Sequence, residues 1–150
     1  MNPFPDTSFL CSMYRPQVHS PKADAYLVAR SDPLPVSTLL LLEFRQSIRL
    51  QMRLHANDAT RGFPKREGTA MLQDLQSDLT TRVLEIIPAD WAEVHRLAET
   101  LSAKHTEVPG HRLVDLLHVA TALHLGMKEF LTFDANQKQL AEAEGLIVPV

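Results

Sequence analysis

Four acidic side chains occupy positions that a soluble core has little use for. Asp6 ends the first apolar run, around Phe4, and Glu43 follows the four leucines Leu39 to Leu42. Asp115 opens the most hydrophobic helical stretch of the chain, and Asp134 closes the run Phe130 to Phe133. Carboxylates held together away from water repel one another until one protonates or a cation joins them. A hard divalent ion such as Mg²⁺ or Mn²⁺ suits an all-oxygen ligand set. One such ion, or a pair about 4 Å apart, aligns a phosphodiester, activates water and stabilises the departing oxygen. Metal-dependent phosphodiester hydrolysis is therefore the chemistry these four residues predict.

Each acid also has an ordinary reading. Asp6, in Asp6-Thr7-Ser8, suits a turn or a helix N-cap. Asp115 and Asp134 suit caps as well. Glu43 suits an ion pair, though Arg45 lies on a different helix face and a distant partner is then required. Singly these roles suffice. All four together, with this spacing between elements, favour a shared site.

The elements that must position them alternate short apolar runs with longer helical patterns, as a parallel sheet covered by helices does. Pro3 and Pro5 flank Phe4, so the first strand is irregular or only a few residues long. Helices are expected over Ser8 to Tyr14, where Pro16 stops the run, and over Lys22 to Arg30, with Pro21 at the start. Leu34 to Val36 reads as a strand, and Ser37 or Thr38 caps the long helix that carries Glu43. Two apolar stripes run along that helix, one through Leu41, Phe44, Ile48 and Met52 and another through Leu39, Leu50 and Leu54. Further helices are expected from Glu67 to Arg82, after Asp90, from Leu113 to Leu125 and from Asn136 to Glu144, with strands at Val83 to Ile87, Phe130 to Phe133 and Leu146 to Val150. Asp6 and Asp134 thus end strands, and the ligand crevice of an open parallel sheet lies beyond the carboxyl ends of its strands.

Length and composition agree with one folded domain over residues 1–150, since the 150 residues are 45% hydrophobic and show no repeat or linker. The single cysteine, Cys11, forms no internal disulfide, which fits a reducing cytoplasm. No run approaches the roughly 18 apolar residues of a membrane helix. The net charge of −3 argues against a broad basic surface for nucleic acid. Basic residues gather locally, however, from Arg45 to Arg66.

These residues resemble a family. Asp6-Thr7-Ser8-Phe9-Leu10, Glu43 in its leucine-rich helix, Asp115-Leu116-Leu117-His118-Val119-Ala120-Thr121-Ala122 and Leu131-Thr132-Phe133-Asp134 are similar, in order, to the four motif blocks of PIN-domain nucleases. The tail from Gln137 through Leu140-Ala141 to Gly145-Leu146 resembles that family's ending. The resemblance implies a three-layer α/β/α sandwich with a mainly parallel central sheet and metal-dependent cleavage of RNA. It implies Asp6 and Asp115 as direct ligands of Mg²⁺ or Mn²⁺, with Glu43 and Asp134 completing the acidic catalytic pocket, and Ser8 and Thr132 as hydroxyls that orient water or a carboxylate. It further implies a VapC-type toxin that forms a homodimer and is silenced by a cognate antitoxin. A catalytically silent interaction module and a structure-selective DNA nuclease are the rival readings.

Two other patterns invite function. Arg45, Arg49 and Arg53 recur every four residues and are able to track a phosphate backbone, although a solvated helix face is the simpler account. His111, Asp115 and His118 share one face at zinc-like spacing, yet a packed core histidine explains His118 more simply.

Overall fold

The computed structural model describes residues 2–150. Its elements run β1 (Pro3–Pro5), α1 (Thr7–Tyr14), α2 (Ser20–Val28), β2 (Leu34–Val36), α3 (Thr38–Asn57), α4 (Lys65–Thr80), β3 (Leu84–Ile86), α5 (Trp91–His105), α6 (Leu113–His124), β4 (Glu129–Leu131) and α7 (Ala135–Ala143). This is the expected α/β alternation, and all the strand pairs are parallel.

β1 pairs with β4, Phe4 opposite Phe130, and β2 pairs with β3, Pro35 opposite Glu85. β1 and β2 lie side by side yet share no hydrogen-bonded ladder. Prolines account for the gap. The Asn2 carbonyl and the Asp6 N–H bond to the β4 side, so the odd residues Pro3 and Pro5 turn the opposite way. On β2, Leu34 and Val36 bond toward β3, so Pro35 faces β1. The seam is thus met by Pro3, Pro5 and Pro35, none of which has an N–H to donate. The short first strand expected from its prolines is what forms.

The core gathers on these strands. Phe4, Phe9, Phe44 and Phe130 are fully buried, and the Phe4 and Phe130 rings stack 6.5 Å apart across the β1–β4 pair. Each such side chain contributes roughly 1.5–3 kcal/mol by leaving water. Ser37 caps α3, its hydroxyl accepting from Leu40 N at 3.1 Å, and the helix buries Leu40, Leu41, Phe44 and Ile48. The second expected stripe is not core: Leu50 is 50% exposed, because that face of α3 looks to solvent. α4 closes over the other side of α3 through Met71 and Leu75.

The expected final strand, Leu146 to Val150, shrinks to a single parallel bridge between Ile147 and Glu129. Ile147 bonds to Phe130 and Lys128 on the outer edge of β4. Pro149, which lacks an N–H, cannot continue the ladder. No helix among the described residues is long and apolar enough to cross a membrane.

Candidate active site

Asp6 leaves β1 as the N-cap of α1 and is 1% exposed. Its Oδ1 accepts from Phe9 N at 3.0 Å and from the Ser8 hydroxyl at 2.6 Å, and its Oδ2 accepts from the Thr132 hydroxyl. Thr132 Oγ1 in turn accepts from Asp134 N at 3.0 Å, and Ser8 Oγ accepts from Phe133 N at 2.9 Å. One hydrogen-bonded net therefore ties the ends of β1 and β4 to the starts of α1 and α7. Burial pushes the Asp6 carboxyl up to about 6, against the opposing pull of Ser8, Thr132, the Phe9 N–H and the charge of His118.

Asp134 caps α7, accepting from Gln137 N at 2.8 Å. The capping role of Asp6 and Asp134 is real, and it coexists with their place at the strand ends. A cap carboxylate at a strand-to-helix junction is by construction held at the rim of the crevice.

Glu43 finds the distant partner its position required. His118, 1% exposed on α6, donates from Nε2 to Glu43 Oε2 and joins α3 to α6. Burial alone would raise the Glu43 carboxyl, but the hydrogen bond and charge of His118 hold it below the ordinary range. His118 Nδ1 is buried with no hydrogen-bond partner. His118 is thus the packed histidine expected, with a carboxylate of the constellation as its one partner.

Asp115 sits in the first turn of α6, 7% exposed. It does not cap that helix. Both its oxygens are gripped by Arg112, whose Nε donates to Oδ2 at 3.0 Å and Nη2 to Oδ1 at 3.1 Å. The Arg112 pKa is raised first by that hydrogen bond and the Asp115 charge, then by Glu43 and Asp134. Arg112 therefore senses three of the four acids, and His118 senses Asp6 and Glu43. Direct hydrogen bonds join Asp6 to Asp134 through Thr132, while Glu43 and Asp115 are held separately by His118 and Arg112. Each carboxylate is engaged by protein donors, and among the described residues no three acidic, imidazole or thiol groups stand together as a metal shell.

That donor set still fits a hard cation. It is all oxygen, it draws on four separate elements, and Asp6 is a buried carboxylate whose charge burial disfavours. A cavity of about 340 Å³ adjoins it, lined by Thr7, Cys11, Arg15, Gln51 and Phe63 among others. Burial, then the charges of Asp6 and Glu43, push the Cys11 thiol up to about 11, so it is no nucleophile near neutral pH.

The remaining patterns resolve simply. Arg49 and Arg53 lie on the solvent side of α3 and Arg45 is part-buried. His111 precedes α6, so the zinc-like spacing with Asp115 and His118 gathers no common site. Sequence reasoning missed Arg112. Its signal was local, a cation three residues before an acid at a helix start.

A family model for the PIN domain matches residues 4–143. Among solved structures, Mycobacterium tuberculosis VapC20, described as a sarcin–ricin loop cleaving toxin, is 18% identical, with 97% of this chain and 96% of that one covered at a TM-score of 0.67. FitAcB from Neisseria gonorrhoeae is 16% identical over 97% of this chain and 95% of its own, TM-score 0.64. VapBC2 from Rickettsia felis, bound to a promoter DNA fragment, is 17% identical over 99% and 97%, TM-score 0.67. At these identities the likeness is one of fold. No curated protein matches the sequence at a significant level. From the family match across nearly its whole length, this chain belongs to the PIN-domain family.

Proposed function

We propose that this chain is a Mg²⁺- or Mn²⁺-dependent endoribonuclease and the toxin of a toxin–antitoxin pair. What supports the reading is how the acids are held: Asp6 and Asp134 are helix caps joined through Thr132, His118 holds Glu43, and Arg112 holds Asp115. Family membership and the fold it shares with VapC proteins support the same assignment.

In this reading Asp6 and Asp115 hold the ion, and Glu43 and Asp134 complete the oxygen set. When bound, a divalent ion supplies an acidified water and neutralises charge on the phosphodiester. The chain's own residues do the rest. Ser8 and Thr132 fix the two oxygens of Asp6. His118 keeps Glu43 ionised and oriented, so that the Glu43 carboxylate would hold and position a water or the ion. Asp134, fixed by Gln137 N, closes the far side of the pocket.

The proposed partners are a cognate antitoxin, consistent with neighbours such as the VapBC2 complex, and a second copy of the chain. The proposed location is the cytoplasm. Side-by-side hydrolysis of single-stranded RNA and DNA of the same sequence tests the substrate. RNA cut in preference to DNA supports the reading, and preferential cutting of DNA replaces it with the DNA-nuclease alternative.

A further inference from the structure

We infer that Arg112 is a phosphate-binding residue that Asp115 holds until a divalent ion arrives, so that metal entry delivers it to the substrate. This rests on the metal-dependent reading above. Three observations carry it. First, the fork occupies both oxygens of Asp115, at 3.0 and 3.1 Å. A divalent ion bound to Asp115 meets a guanidinium already there, and the two cations repel at that range. Ion and fork therefore compete for one carboxylate.

Second, the grip is easily released. The Arg112 side chain is 73% exposed against 10% for Asp115, so water already reaches the guanidinium end of the pair. Arg112 also sits at the N-cap position in extended backbone, φ −73° and ψ 149°, just outside the first turn of α6, so the helix does not confine it. Third, the released guanidinium stays in place. Its backbone lies just before α6, three residues from Asp115, so a guanidinium freed from that carboxylate remains within a side chain's reach of it. A planar fork with two parallel N–H donors matches the two non-bridging oxygens of a phosphodiester. Arg112 thus neutralises the acids in the empty site and faces the scissile phosphate in the loaded one.

The test is calorimetric titration of Mn²⁺ into the wild type, Arg112→Gln and Arg82→Gln. The last removes the same charge beside β3, from an arginine paired with Glu85. A second arm follows binding of a fluorescent 2′-O-methyl oligoribonucleotide, resistant to hydrolysis, across a salt series with Mn²⁺ or with EDTA. Arg112→Gln is expected to bind Mn²⁺ about threefold or more tightly than either other protein, because its competitor is gone. Its salt slope is expected to be shallower than wild type by about 0.7, one phosphate contact on a single strand, with Mn²⁺ and not with EDTA. Equal Mn²⁺ affinity in Arg112→Gln and wild type overturns the competition, and equal salt slopes in Mn²⁺ overturn the phosphate contact. Either result sinks this inference while leaving the metal site standing. A wild type that binds no Mn²⁺ sinks both.

Discussion

Asp6→Asn exchanges a carboxylate that is 1% exposed for a neutral group of nearly the same shape. The hydrogen bonds largely survive the exchange. The amide oxygen still accepts from Phe9 N and Ser8 Oγ, and the amide N–H₂ turns the Thr132 hydroxyl from donor to acceptor. What changes is the charge. Burial raises the Asp6 carboxyl from 3.8 to about 6, so the folded protein binds that proton more tightly than the unfolded chain does. Between those two pH values the folded state holds more protons, and stability falls as pH rises. Above pH 6 the full penalty is present, and at ~1.4 kcal/mol per tenfold in proton affinity it is about 3 kcal/mol. Urea melts in EDTA at pH 7.5 and at pH 3.8 read it directly. Asp6→Asn is expected to be more stable than wild type at pH 7.5, by at most about 3 kcal/mol. The gap should close toward pH 3.8. A variant less stable at pH 7.5, or a gap independent of pH, refutes the view that Asp6 is a strained carboxylate awaiting a cation.

Two further substitutions test the frame of the site. Thr132→Val removes the donor to Asp6 Oδ2 and strands Asp134 N, so unfolding free energy in EDTA should drop by about 1–3 kcal/mol, more at pH 7.5 than at pH 3.8; a loss that ignores pH contradicts the link to Asp6. Gly62→Ala places a Cβ 2.1 Å from the Gln51 carbonyl at a φ of +59°, in the turn where α3 hands over to α4 beside the cavity. Its thermal midpoint should fall by several degrees, roughly 2–4 °C for each kcal/mol, and an unchanged midpoint would show that this turn relaxes freely.

What the sequence revealed and what it concealed divide along the range of the interactions. Asp6 was legible because strand end and helix cap coincide there, and Asp134 because it caps α7, although β4 stops at Leu131, three residues before it. The brevity of β1 was legible because proline acts on its own backbone. The consequence of Pro3, Pro5 and Pro35 was not, since the seam exists only once β1 and β2 lie together. The Glu43–His118 pair spans 75 positions, and spacing cannot report it. Leu50 reads as core by periodicity alone, yet it is half exposed, and Leu39 and Leu54 of the same stripe are only half-buried. Leu146 to Val150 has the apolar run of a strand, but Pro149 truncates it to a bridge. Arg112 was within local reach, three residues from Asp115, and went unread because a search for carboxylates overlooks the cation that neutralises them.

The central claim is that these carboxylates cut RNA with a divalent ion. Incubating a total RNA pool with the purified protein tests it most directly, in Mg²⁺ or Mn²⁺ against EDTA, with Asp6→Asn and Asp115→Asn alongside. The account predicts cleavage by the wild type with either ion, none in EDTA, and a loss of at least about a hundredfold in each variant. Cleavage that persists in EDTA or in both variants would contradict it.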